Sequence, residues 1–195
     1  MSDRLWLVRH TATAWTGHRW CGRTDLPLSV DGRRQAVELA SWLAPDLPAD
    51  VLVLSSPARR ALETATEIAT AARCTVDVVT ELREVDFGDA EGRTWTEVER
   101  ELPDLAAAIA NGDPETDWPD GETAAEVRAR AEIVGHRIDE AAIPLVLVTH
   151  GGLIRALLAT LVSSGAQLDA DLGPGAINAL ERADGRWAIP AGVVA

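Results

Sequence analysis

The sequence predicts an α/β fold, a three-layer sandwich in which a mostly parallel central sheet carries helices on both faces. Three observations predict it. Apolar runs of strand length occur at Leu5–Val8, Val51–Leu54, Val76–Val79 and Leu145–Val148. Each except the third leads directly into a polar segment and then a helical pattern, the alternation that builds α/β layers. The 195 residues contain no internal repeat, low-complexity tract or dividing linker, so one domain spanning 1–195 is expected, long enough to bury a core.

The elements come in order. After the first strand, Ser29 is a good N-cap, and Ala36, Leu39, Ala40 and Leu43 recur at helical spacing until Pro45 stops the helix. The second strand precedes a helix expected to start near Pro57, with Ala61, Thr64, Ala65 and Ile68 on its apolar face. Arg60 then lies in the first turn, and Arg59 lies about 100° away around the helix, so only one of the two can face inward. Beyond Val79 the pattern breaks. Residues 81–122 hold 14 acids against three arginines, a net −11, and read as a lid-like insertion. Short helices are expected at Thr94–Glu101 and Leu102–Ala110. The turn-rich segment from Gly112 to Gly121 separates them from a longer helix at Thr123–Ala142. Late strands are expected at Ala176–Glu181 and Trp187–Ile189.

Charge narrows the function classes. The net charge of −13 repels nucleic acid and anionic membrane surfaces at long range, so neither is expected as a partner. Residues 1–34 reverse the sign, with six arginines against three aspartates. A local positive region in an acidic chain suits a small phosphate ester better than a large polyanion. All 18 basic residues are arginine, a compositional bias that no single function requires at every position. No stretch reaches the length of a membrane span, and Arg9 interrupts the N-terminal apolar run too early for a secretory segment. Cys21 and Cys74 lack metal-ligand spacing and are expected as free thiols in a cytoplasmic protein.

The chemistry gathers where strands end. The Leu5–Val8 run ends in Arg9-His10 and a turn carrying Thr11, Thr13 and Thr16. Open α/β sheets place ligands at that carboxyl edge. The Leu145–Val148 run likewise leads to His150 and Gly151-Gly152, small residues that let a helix N-terminus approach a bound anion. Arg9 and Arg60 can fork paired N–H donors onto phosphate oxygens. His10 can attack phosphorus only through an unprotonated nitrogen, so its other nitrogen should donate to a backbone carbonyl. For a leaving-group acid the loop after the third strand offers Glu81, Glu84, Asp86, Asp89 and Glu91, which chemistry alone does not separate.

Together RHT at Arg9–Thr11, SSPARRALETA around Arg60, ELREVDFGDAEG around Glu84 and LVLVTHGGLIRALL around His150 resemble the histidine phosphatase superfamily, in the right order along nearly the whole chain. This superfamily includes cofactor-dependent phosphoglycerate mutases and many small-metabolite phosphatases. The loop CGRTDLPL is similar in particular to α-ribazole phosphatase-like members. The resemblance implies a phosphoglycerate mutase-like fold and a metal-independent phosphomonoesterase without cofactor, acting on a small phosphorylated metabolite. It makes His10 the phosphorylated residue and Arg9, Arg60 and His150 the phosphate pocket. Its R-A-x-x-T-A pattern, matched by Arg60, Ala61, Thr64 and Ala65, selects Arg60 and leaves Arg59 to solvent, and it selects Glu84 as general acid. Thr11, Thr13, Thr16, Cys21, Gly22 and Gly151 become candidates for substrate contact. Trp15 and Trp20 are expected to line the leaving group, the other tryptophans to pack, and His136 to lie on a helix surface. A homodimer is admitted as an assembly.

The chain departs from the family at two positions. Thr11 stands where glycine is usual, so that turn must use an ordinary backbone conformation and gains a hydroxyl. Thr16 stands where many members have asparagine, which removes an amide donor. Two alternatives remain beside the phosphatase: a phosphoglycerate mutase, for which the chain is short, and a non-catalytic phosphate-binding or interaction module on the same fold.

Overall fold

A computed structural model describes residues 4–141, 144–162 and 170–190. It contains a six-stranded sheet in the order β3-β2-β4-β1-β5-β6. The parallel part comprises β1 (Arg4–Arg9), β2 (Leu52–Ser55), β3 (Val76–Val78) and β4 (Leu145–Thr149). The strands β5 (Ile177–Ala183) and β6 (Arg186–Ala188) run antiparallel on one side of it.

Alternation of side chains explains why β1 is apolar on both faces. Leu5 and Leu7 enter one hydrophobic cluster with Leu145 and Leu147 of β4. Helices α5 (Ala124–Glu140) and α6 (Gly151–Leu161) cover it through Ala131, Val134, Leu153, Leu157 and neighbours. Trp6 and Val8 point the other way, with Val53, Val146 and Val148, onto α1 (Val30–Leu43) and α2 (Arg59–Ala72). These are the predicted three layers.

Local chemistry sets the helix ends. Ser29 caps α1 by accepting from the Gly32 N–H at 2.9 Å. Thr94 and Thr123 form capping boxes with Glu97 and Glu126 at the starts of α3 (Trp95–Glu101) and α5. Pro103 opens α4 (Pro103–Ala110). Helix α5 ends two residues before the predicted Ala142, which lies outside the described residues. Helix α2 begins at Arg59, two residues later than expected from Pro57. Its N-cap, Ala58, has no side-chain acceptor, and the carboxylate of Asp25 accepts from the Arg59 N–H at 2.7 Å instead. A cap supplied by a distant loop leaves no local signal. The turn between β5 and β6 uses Asp184-Gly185, both with positive φ, a pairing that matches hairpin twist.

The acidic segment 81–122 has its own apolar cluster of Val85, Phe87, Ala90, Val98, Leu105 and Ala106. Trp20 packs into that cluster, 5.2 Å from Phe87 and 5.3 Å from Trp118 between ring centroids. Trp20 is therefore a packing residue, contrary to its expected place beside the leaving group. Three polar ties fix the same segment. The Glu91 carboxylate accepts from the backbone N–H groups of Gly22, Arg23 and Thr24 at 2.9–3.2 Å. Glu122 receives Arg130 through two bonds of 2.9 and 2.7 Å, and Arg130 also donates to the carbonyls of Glu81 and Arg83. Arg23 reaches Asp86 and Glu122 at 3.4 and 3.3 Å.

Candidate active site

The ends of β1 and β4 lie side by side, in register from Leu5 and Leu145 to Arg9 and Thr149, so His10 and His150 emerge together. Their ring centroids are 5.0 Å apart, nearly edge to face. Arg60 in the first turn of α2 places its Nε 3.2 Å from His10 Nε2. The Arg9 guanidinium lies against Gly151, where a Cβ would sit 3.6 Å from Arg9 Cζ. Arg9, His10, Arg60 and His150 thus converge although 140 residues separate the first histidine from the second.

His10 has a defined tautomer. Its Nδ1 lies 2.8 Å from the Thr11 carbonyl, which can only accept, so Nδ1 carries the proton and Nε2 keeps its lone pair. Arg60 Nε donates to that lone pair. Burial holds the imidazole at about 3, with the Arg60 charge next, against an upward pull from the Thr11 carbonyl and a further downward push from Arg9. His150 is likewise held well below its ordinary value, by burial first and then by His10, Arg60, Arg9 and Arg130. Both rings are neutral near pH 7.

A ring kept neutral by burial makes stability depend on pH. Between the ordinary histidine value of 6.5 and about 3, the unfolded chain binds a proton at residue 10 and the folded protein does not. Stability present above pH 6.5 is therefore lost as the pH falls towards 3. His10→Gln should flatten this loss, read as urea midpoints of both proteins across that range. Parallel curves would show that residue 10 takes up its proton normally in the folded state.

Arg9 and Arg60 differ in setting. Arg60 is fully buried, and besides His10 it donates to the carbonyls of Thr24 (2.8 Å), Cys21 (3.2 Å) and Gly22 (2.8 Å). The loop 21–24 is thereby held from both sides, its carbonyls by Arg60 and its N–H groups by Glu91. Arg9 donates through Nη1 to the Leu172 carbonyl, while its buried Nε has no protein partner. Burial lowers its proton affinity first, and nearby Glu84 raises it. An arginine in this setting stays charged. Arg59 is exposed and pairs with Glu63 at 2.8 Å, as its position on the helix requires.

Glu84 is buried, and its carboxylate sits at the N-terminus of α6. Oε1 accepts from the Val85 and Leu153 N–H groups at 2.9 and 3.1 Å, and Oε2 from Gly152 at 3.2 Å. A Cβ on Gly152 would lie 2.6 Å from Glu84 Oε1, so glycine is needed there for this approach. The helix N-terminus, expected at the bound anion, meets Glu84 in the fold, because the oxygens of a buried carboxyl group satisfy those otherwise unpaired donors. Glu84 also lines a cavity of about 260 Å³ with Gly22, Arg23, Asp25, Pro57, Ala58 and Arg83.

The expected substrate-contact residues are placed unevenly. The Thr11 hydroxyl donates to the Gly32 carbonyl at 2.8 Å and its N–H to Thr64 Oγ1 at 3.2 Å, so it ties β1 to α1 and α2 and is not a free donor at the pocket. Thr11 keeps a negative φ, as a β-branched residue in place of glycine must. Thr16 Oγ1 accepts from the Thr13 N–H at 2.8 Å, and Thr13 Oγ1 accepts from the Trp15 N–H, so the two hydroxyls shape the turn. Trp15 packs over Gly92. The Cys21 thiol donates to the Thr24 carbonyl at 3.6 Å, and burial pushes its proton affinity up. Gly22 has both backbone groups committed, to Glu91 and Arg60. Cys74 is also a free thiol, and His18 and His136 are exposed. Sequence reasoning missed Ser56, whose Oγ lies 2.9 Å from His150 Nε2, and the tethers Glu91, Glu122 and Arg130, because no local pattern marks them. Among the described residues, no group of three or more His, Cys, Asp or Glu side chains could hold a metal ion, and no helix is long and apolar enough to cross a membrane.

Comparisons with known proteins show the same overall fold. Glucosyl-3-phosphoglycerate phosphatase of Mycobacterium tuberculosis is 38% identical over 171 residues, covering 82% of this chain and 75% of that protein. The solved structure of a mycobacterial glucosyl-3-phosphoglycerate phosphatase superposes with a TM-score of 0.83 at 31% identity, covering 97% of each chain. The α-ribazole phosphatase of Shigella flexneri superposes with a TM-score of 0.82 at 27% identity, over 96% of this chain and 94% of that one. Since residues 5–192 also match the family model of branch 1, the chain belongs to the histidine phosphatase superfamily, as one of its phosphatase-type enzymes.

Proposed function

We propose that the protein hydrolyses a small phosphomonoester metabolite by two in-line phosphoryl transfers through His10. The observation that carries this reading is the bond from His10 Nδ1 to the Thr11 carbonyl, which leaves Nε2 unprotonated among cationic side chains. In the first step Nε2 attacks phosphorus, the ester P–O bond breaks, and the leaving oxygen takes a proton from Glu84. In the second, water attacks the phosphorus carried on Nε2, a P–O bond forms as the P–N bond breaks, and the water proton returns to Glu84. The free Nε–H of Arg9, the forked Arg60 and the unpartnered Nδ1 of His150 stabilise charge on the equatorial oxygens. On substrate arrival Arg60 Nε turns from Nε2 to a phosphoryl oxygen.

Glu84 Oε1 accepts two N–H groups and Oε2 only one, so Oε2 has room for the transferable proton. Glu84→Gln keeps the shape and removes the proton. It should lower kcat by about 10²–10⁴-fold on alkyl phosphates and much less on aryl phosphates, whose leaving groups need no acid. Equal losses on both would remove Glu84 from that role.

The cavity beside Glu84 is where the leaving alcohol is expected, between Arg23, Asp25 and Arg83. A screen of phosphorylated metabolites with chelator present, glucosyl-3-phosphoglycerate and α-ribazole phosphate among them, tests activity, metal independence and specificity together. No turnover of any monoester would overturn the reading. The two free thiols and the acidic composition support a cytoplasmic enzyme without nucleic-acid or membrane partners.

A further inference from the structure

We propose that Ser56 is a positioning residue that fixes the tautomer of His150, and so turns its Nδ1 into the hydrogen-bond donor of the phosphate pocket. This role deepens the proposed phosphatase reading and rests on it for its catalytic consequence, whereas the tautomer itself does not depend on it.

Ser56 comes directly after β2 and is fully buried. Its backbone N–H donates to the Val148 carbonyl at 3.0 Å, which locks it beside β4 two residues before His150. Its Oγ has two close partners. One is the Ala58 N–H at 3.2 Å, which can only donate and so occupies an oxygen lone pair. The other is His150 Nε2 at 2.9 Å. Ser55 does not compete, because its own hydroxyl donates to the Ser56 carbonyl at 2.9 Å.

A serine hydroxyl has one proton to give, and a neutral imidazole has one donor and one acceptor nitrogen. Ala58 takes only acceptor capacity, so the serine proton has a single acceptor among these partners, His150 Nε2. Oγ keeps a second lone pair that an Nε2–H could fill, but the buried serine proton would then have no acceptor, so the pairing favours Nε2 as acceptor with the ring proton on Nδ1. Nδ1 is buried and has no protein partner, an orphan donor in a ring 5.0 Å from the proposed nucleophile. A buried N–H without a partner is costly unless something supplies an acceptor, and phosphoryl oxygens bound at His10 do so. With the opposite tautomer, an Nδ1 lone pair would meet those oxygens and repel them. The serine thus acts on the phosphate through the ring, as carboxylates and carbonyls orient metal-binding histidines through the distal nitrogen.

Selective 15N labelling of histidine, with NMR of the full-length protein, reads the tautomer directly. In the wild type His150 should show a protonated Nδ1 and an unprotonated Nε2. Ser56→Ala should reverse or mix the two, while the His10 signals stay as they are because Thr11 fixes that ring. The same variant should lower kcat on an aryl phosphate by about 10–100-fold, with a smaller change in KM. A wild-type His150 protonated at Nε2 overturns the proposal, whether or not the variant folds. So does a folded Ser56→Ala protein whose His150 keeps the proton on Nδ1. Failure of the wild type to hydrolyse any phosphate ester would instead sink the phosphatase reading and leave the NMR result to decide the tautomer.

Discussion

His10→Ala is expected to abolish hydrolysis of a generic aryl phosphate measured in EDTA, a loss of at least about a thousandfold. The size reflects the work of the ring. With Nδ1 tied to the Thr11 carbonyl and burial holding the ring neutral, Nε2 is a nucleophile that needs no deprotonation, and alanine offers nothing in its place. Arg60 would remain but would have no attacking atom to work with. Electrostatic stabilisation alone leaves some rate above water, so the residual rate should be low and independent of the wild-type covalent step. Quenching wild type during turnover of a labelled ester should leave acid-labile label on the protein, and His10→Ala should carry none. A variant that keeps its turnover, or its label, would transfer the covalent step to another group.

Arg60 carries the second large effect, and here activity and stability should fall together. Four of its contacts are made at once, to His10 and to three carbonyls of the loop 21–24. Lysine is a point donor that cannot cover that fork. Arg60→Lys should therefore lower kcat by about 10²–10³-fold, as loss of an aligned donor does. Arg60→Ala should in addition lose about 3–5 kcal/mol of stability, because it leaves buried carbonyls unpaired and a cavity behind. Urea unfolding and turnover of the folded fraction separate the two quantities. Arg59→Ala is the control, since that side chain is exposed and its ion pair with Glu63 is worth little. If Arg60→Ala unfolds at the wild-type midpoint, the loop does not depend on this arginine.

The parts of the site legible in the sequence share one physical property. Arg9, His10 and His150 stand at the ends of apolar runs, and a strand buried on both faces must deliver its next residues to the sheet edge. For Arg60, helical geometry allows only one of two adjacent arginines to face inward, and the family resemblance selects which. Glu84 is different. Five acids in one loop have the same chemistry, and the family resemblance alone separates them. What distinguishes Glu84 in space is the N-terminus of α6, whose Leu153 N–H lies 69 residues further along the chain.

The departures from expectation have a common cause. The glycines after His150 do make room for an acceptor, but the acceptor in place is a carboxyl side chain of the protein itself. Trp20 lies near the active loop in sequence, yet it packs on Phe87 and Trp118, residues of the acidic segment whose composition suggests a solvated lid. Part of that segment's acidity is internal fastening, with Glu91 holding the loop 22–24 and Glu122 holding Arg130.

Local reading of the chain suffices for the layers, the alternation of strands with helices and the residue types at the sheet edge, because periodicity and strand-end position are local properties. Only the folded arrangement selects which carboxylate meets the helix N-terminus, which carbonyls occupy Arg60 and which hydroxyl meets His150. Those partners lie tens of residues apart, and hydrogen bonds act over about 3 Å, a proximity that folding alone creates.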